Sequence, residues 1–187
     1  RLVMSECDLD NEDQTIHYPS MGTTFVDDAT GEHVAYPDEK VKHTDVVAYA
    51  NLVPGKKYKT VATLKYKDSG EAVTDADGKE ITQTVEFTPE TADGTVDVVF
   101  EFDATLLAGK SIVAFEKVYY EDKEVAAHED LTDEGQTIRY PKIGTTFTDN
   151  ATGNHVAFPD KKVKHTDVVA YTNLLVGQTY KTVATLK

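Results

Sequence analysis

At 187 residues the chain has room for one or two domains, each able to bury a core of its own. Its hydrophobic share of 40% and charged share of 28% are ordinary for a soluble globular protein. The formal net charge of −14 argues against nucleic acid as a partner, because phosphates reward clustered Lys and Arg. Acidity of this kind reads most simply as solubility and self-repulsion of an exposed surface. No apolar run approaches the ~18–20 residues that a membrane span requires, and no basic-then-apolar signal segment opens the sequence. Cys7 is the single cysteine, which excludes an intrachain disulfide and leaves no cysteine cluster for zinc. Neither a metal nor a cofactor is expected.

Internal repetition decides the organisation. The 52 residues that start at Gln14 (QTIHYPSMGTTFVDDATGEHV…) return at Gln136 (QTIRYPKIGTTFTDNATGNHV…), and 39 of them are identical. Residues 1–18 read as the tail of a preceding repeat, since ECDLDNEDQTI is similar to HEDLTDEGQTI. Residues 19–141 read as one complete domain, and 142–187 as the N-terminal part of a following, truncated repeat. The chain is expected to be a piece of a longer tandem array.

Along the complete period, strand follows strand. In MGTTFVD the alternation turns Met21, Thr23 and Phe25 to one side and Gly22, Thr24 and Val26 to the other, so the apolar partners place Thr23 toward the core. HTDVVAYANL and YKTVATLKYK follow, rich in Val, Thr and Tyr, with DDATGE and PGKK as the turn signals around them. DADGKE shares two aspartates with a calcium loop but lacks its remaining ligands, so an Asp-Gly hairpin turn is the better reading. TQTVEFTP is the next strand. In GTVDVVFEFD, Val96, Val98, Phe100 and Phe102 share one face and Asp97, Glu101 and Asp103 the other. After LLAGK, KSIVAFEKVYY aligns Glu116 with Ile112, Ala114 and Val118, although Phe115 leaves the buried side undecided by pattern alone. In GQTIRY, Gln136 aligns with Ile138 and Tyr140. No long segment carries a helical stripe. Short strands at this spacing predict an antiparallel β-sandwich.

Thr23, Glu116, His128, Asp133 and Gln136 are thus candidates for one cluster. Buried polar groups cost free energy unless paired. From spacing alone, a satisfied core network, or surface polarity for His128 and Asp133, is the better explanation.

The combination of GTTF, VAFEKVYYEDKEVAAHED and DEGQTI resembles the T-Q ester-bond domains, or VaFE repeats, of Gram-positive surface adhesins. The resemblance covers one whole period. It implies an all-β, immunoglobulin-like (CnaB-like) sandwich in tandem repeats, in which a first-strand threonine is joined to a last-strand glutamine as an intramolecular ester. Carried over by position, Thr23 and Gln136 form the cross-link, and His128, Asp133 and Glu116 are the catalytic residues. His128 is expected to take the hydroxyl proton and return it to departing ammonia, as in serine hydrolases. Asp133 and Glu116 are expected to be a pair of acids, at least one kept protonated by burial. Which of them assists the oxyanion and which orients the imidazole stays open.

The resemblance further implies a stalk repeat of an extracellular, cell-wall-anchored protein, with no enzymatic turnover. Its partners would be neighbouring repeats, with host surface ligands left to another domain. The partial copies depart from the pattern: Glu6 and Asn11 stand where His128 and Asp133 do, and Thr145 matches Thr23 with no glutamine after it. The rivals are a Lys–Asn isopeptide sandwich, a carbohydrate- or matrix-binding module, and a hydrolase. No lysine stands out beside Thr23, and 10 tyrosines without tryptophan form no evident aromatic platform.

Overall fold

The structure is a computed structural model that describes residues 10–186. Glu6 and Cys7 lie outside the described residues. Two antiparallel sheets face each other. One is three-stranded, in the order β1 (Ser20–Asp27), β2 (Val41–Ala50), β5 (Gly94–Phe102). The other runs β4 (Thr82–Phe87), β3 (Tyr58–Tyr66), β6 (Ser111–Tyr120), β7 (Lys123–His128), with the short β8 (Thr137–Arg139) also on β6. Strands β7 and β8 share one flank of β6: β7 takes the half from Glu116 to Tyr120, and β8 takes Ser111 to Val113. No described helix is long and apolar enough to cross a membrane.

Alternation fixes what each strand buries. Strand β2 turns Val41, His43, Asp45, Val47 and Tyr49 inward, and β3 buries Tyr58, Thr60, Ala62 and Leu64. On β6 the buried set includes Ile112, Ala114, Glu116 and Val118, so the core side holds the glutamate and Phe115 is only half-buried. Phe25 and Phe100 meet edge-to-face with centroids 5.8 Å apart, a favoured aromatic geometry. Leu64, Ile112 and Ile138 fill the opposite side.

The turns follow their chemistry. Asp75 Oδ1 accepts from the backbone N–H groups of Asp77 and Lys79, and Thr74 bridges Glu80, so DADGKE is a hairpin turn whose carboxylate is engaged by its own backbone. In the second copy β9 (Lys142–Asp149) and β10 (His165–Thr172) form a hairpin in the register of β1 and β2: Thr145 opposes Val169 as Thr23 opposes Val47. Thr145 is exposed there.

A polar network lies within the core. His43 Nδ1 is 3.1 Å from Asp27 Oδ1, its Nε2 meets the hydroxyl of Tyr140 at 2.5 Å, and all three side chains are buried. It ties β1, β2 and the residue following β8. The hairpin repeats half of it, with His165 Nδ1 3.2 Å from Asp149 Oδ1.

Candidate cross-linking site

Strand β1 is an edge strand, and it packs against β7, β8 and the 3-10 turn Glu134–Gln136 that leads into β8. That packing brings the predicted residues together from both ends of the domain. Thr23 Oγ1 lies 2.8 Å from His128 Nδ1, and His128 Nε2 lies 3.0 Å from Asp133 Oδ2. The Asp133 carboxylate can only accept when ionised, so it selects the tautomer with the proton on Nε2. The lone pair of Nδ1 then faces the threonine hydroxyl. This is the arrangement of nucleophile, base and orienting acid found in hydrolase triads.

Asp133 is held in turn. It caps the 3-10 turn, its Oδ1 accepting from the N–H of Gly135 at 2.7 Å, and its carbonyl accepts from Thr137 Oγ1 at 2.6 Å. Lys67 Nζ donates to the Leu131 carbonyl and to Thr137 Oγ1, which fixes the segment between β7 and β8.

Glu116 has a different partner from the expected Asp133. Asp133 is partly exposed and its two oxygens engage His128 and Gly135, so it does not face Glu116. The acid that does is Asp45, fully buried on β2. Glu116 Oε2 accepts from Thr60 Oγ1 at 2.8 Å, and Asp45 Oδ1 accepts from Gln136 Nε2 at 3.2 Å. The remaining oxygens, Glu116 Oε1 and Asp45 Oδ2, are buried with no donor among the described residues, and the nearness of the two carboxyls lets one proton bridge them.

Burial pushes Glu116 up to about 8, helped by the nearby Asp45 charge. Burial also raises Asp45, to about 6, against the lowering effect of its hydrogen bonds from Gln136 and Glu116. Two acids this close in a dry site hold one proton between them at neutral pH. Asp45 was legible in principle, because HTDVVAY places it on one face with Val47 and Tyr49. Thr60 lies inward for the same reason.

Gln136 is fully buried. It closes the 3-10 turn, one residue before the strand that its alternation suggests. Its amide nitrogen is tethered to Asp45, while its carbonyl oxygen has no partner. A buried acceptor without a donor is costly in a resting fold.

The family described as "TQ: T-Q ester bond containing domain" matches residues 19–140 and again residues 141–187. No curated protein matches the sequence. Among solved structures, a bacterial adhesin from Mobiluncus mulieris, described as containing intramolecular disulfide, isopeptide and ester bond cross-links, superposes with a TM-score of 0.59 at 13% identity. The alignment covers 82% of this chain and 77% of that one. A second crystal form of that adhesin gives 0.56 at 14% identity, over 82% and 76%.

Proposed function

Because the chain belongs to the T-Q ester bond domain family, we propose that Thr23 and Gln136 join in an autocatalytic intramolecular ester. The observation that carries this is the 2.8 Å contact between Thr23 Oγ1 and Nδ1 of an imidazole whose other nitrogen lies 3.0 Å from Asp133. His128 Nδ1 takes the hydroxyl proton as Oγ1 attacks Cδ of Gln136. The tetrahedral oxyanion is stabilised by the acid pair: with the carboxamide turned over, its oxygen takes the position of Nε2 against Asp45 and receives the shared proton as a hydrogen bond. His128 then returns its proton to the departing nitrogen. The Cδ–Nε2 bond breaks, ammonia leaves, and an Oγ1–Cδ ester remains. Folding supplies the proximity, which contributes about 7–11 kcal/mol toward such barriers. The event occurs once per domain, so it is not enzymatic turnover.

The ester would tie edge strand β1 of one sheet to the turn before β8 of the other. Tension applied at the two ends of the domain then bypasses most of the hydrogen-bonded ladders. An acidic, disulfide-free sandwich stapled in this way suits a repeat of an extracellular stalk, anchored to a Gram-positive cell wall. The adhesin from Mobiluncus mulieris, which carries ester bonds, supports that setting by analogy of fold. The division at 1–18, 19–141 and 142–187 then describes successive repeats, each an element of the same fibre.

Peptide mass mapping tests the bond. A cross-linked species joining the Thr23 and Gln136 peptides, lighter by one ammonia, is expected in the unaltered protein and in Thr24→Ala. Thr23→Ala should lack it. Free Gln136 amide in the unaltered protein would end the proposal.

A further inference from the structure

The two segments that match the family meet at the Tyr140–Pro141 junction, and one side chain bridges it. Asn173, just after β10, donates through Nδ2 to the carbonyl of Tyr140 at 3.0 Å and to the carbonyl of Lys110 at 3.1 Å. Both carbonyls already accept a backbone N–H: Gly109 donates to Tyr140 and Tyr140 donates to Lys110. The carboxamide, carried by the second segment, therefore completes the acceptor capacity of two carbonyls of the first.

The opposite end of the first segment carries the matching half. Asn51, the counterpart of Asn173, donates through Nδ2 to the carbonyl of Tyr18 at 3.0 Å, and Tyr18 is the counterpart of Tyr140. The backbone is the same at both positions, with φ of 60° at Asn51 and 58° at Asn173. Asparagine is among the few residues with a side chain that enter this left-handed region readily. Glycine would satisfy the backbone alone, so the side chain has a use of its own. Around it the sequence varies, as Ala50 becomes Thr172 and Val53 becomes Leu175.

The surfaces at this junction are in contact. A Cβ on Gly109 would stand 3.1 Å from Cδ of Lys142 and 3.7 Å from Oγ1 of Thr172. The loop before β6 thus packs against side chains of β9 and β10, beside an open cleft lined by Lys67, Asp68, Lys110 and Ser111.

We propose that this asparagine is an inter-repeat clamp, fixing the orientation of each repeat on the C-terminal Tyr-Pro and the loop before β6 of the repeat that precedes it. The partner it fits is another copy of the same repeat. Asn51 would use its second amide proton on the corresponding loop of a preceding copy. The array is then a stiff rod with a set angle per repeat, rather than domains on a free tether. The clamp operates whether or not the ester forms.

Residual dipolar couplings of the backbone amides in the 187-residue chain test this. One alignment tensor should fit the strands of residues 20–139 and the β9–β10 hairpin together. Asn173→Asp keeps the backbone tolerance but turns a carboxylate toward two carbonyl oxygens, and Asn173→Gly removes the donor while keeping the positive φ. Each variant should need two separate tensors, with the cross-strand contacts of Thr145 and Val169 intact. Two tensors in the unaltered chain, or one tensor retained in both variants, overturns the clamp. The Thr23–Gln136 mass measurement, read on the same samples, reports on the ester separately.

Discussion

Glu116 and His128 are direct cross-strand partners in the β6–β7 ladder. Directly opposed residues of an antiparallel pair project to the same face, so the glutamate lies within the core while the histidine, at the end of β7, reaches past it to Thr23. The register of one strand pair thus delivers an acid and a base to the same few ångströms, and a β-bulge between Val118 and Tyr119 adjusts the rest of the pairing. Slipping β7 by one residue in that register would turn His128 away, while β3 holds Glu116 inward from the other side of β6.

His128→Ala removes the proposed base from a partly exposed position at a strand end, so the fold should persist. General-base assistance typically contributes about 10²–10⁴-fold, and cross-linking should slow by that order. The measurement is the intact mass of freshly refolded protein against time. Ester formation at the original rate would remove His128 from the reaction.

The acid pair predicts a pH limit. Glu116 is raised by burial to about 8, so the folded, uncross-linked domain holds a proton there that the unfolded chain releases near 4.5. The sign follows from linkage: stability of the open form falls as pH climbs from about 4.5 through 8, because the folded state binds more protons over that window. Cross-linking that depends on the shared proton should therefore decline above about pH 8. Glu116→Gln keeps a hydrogen-bond donor that does not titrate, and its rate profile should lose the alkaline decline. An unchanged decline in Glu116→Gln would locate the titration elsewhere.

The strands were legible because alternation and turn residues agreed along the chain, from Met21, Thr23 and Phe25 to the Asp-Gly hairpin at Asp77. Thr23 and Gln136 lie far apart in sequence, and the resemblance rather than any spacing linked them. What stayed hidden was the partner of Glu116. Asp45 sits in a segment whose pattern reads only as a strand, and the expected pairing of Glu116 with Asp133 rests on the resemblance, which supplies those two acids and not Asp45. Alternation marks Asp45 as inward, but it cannot say which residue of the facing sheet an inward acid meets. That depends on how β2 of one sheet stacks over β6 of the other. The β7 strand was likewise obscured by its charges, since Glu121 and Asp122 occupy a turn with positive φ and β7 itself is short and largely exposed.

The buried Asp27–His43–Tyr140 network should matter for stability alone. Tyr140→Phe leaves His43 Nε2 buried without its partner, which costs about 1–3 kcal/mol. Burial lowers the His43 pKa, so the unfolded chain gains a proton near pH 6.5 that the folded one resists. Stability from this group is present above that pH and is lost as pH falls below it. Denaturant unfolding at pH 7.5 and 5.5 should show the loss, and His43→Gln should lessen it. Equal pH dependence in both proteins would exclude His43 as its source.

The ester itself should appear as unfolding free energy. Closing a loop of more than a hundred residues between Thr23 and Gln136 stabilises by about 4–5 kcal/mol in the entropic model. Thr23→Ala should lose that amount, whereas Thr23→Ser retains a hydroxyl facing His128 and should keep both the cross-link and most of the stability. Hydroxylamine distinguishes the bond from an isopeptide, because it opens an ester readily and an amide hardly at all. Once opened, the unaltered protein should carry a hydroxamate at Gln136 and unfold at the denaturant concentration of Thr23→Ala. If the treated protein kept its original midpoint while its mass showed the bond cleaved, the covalent tie would contribute nothing to stability. Resistance to force would then have to come from the β-ladders, and the proposed stalk role would lose its physical basis.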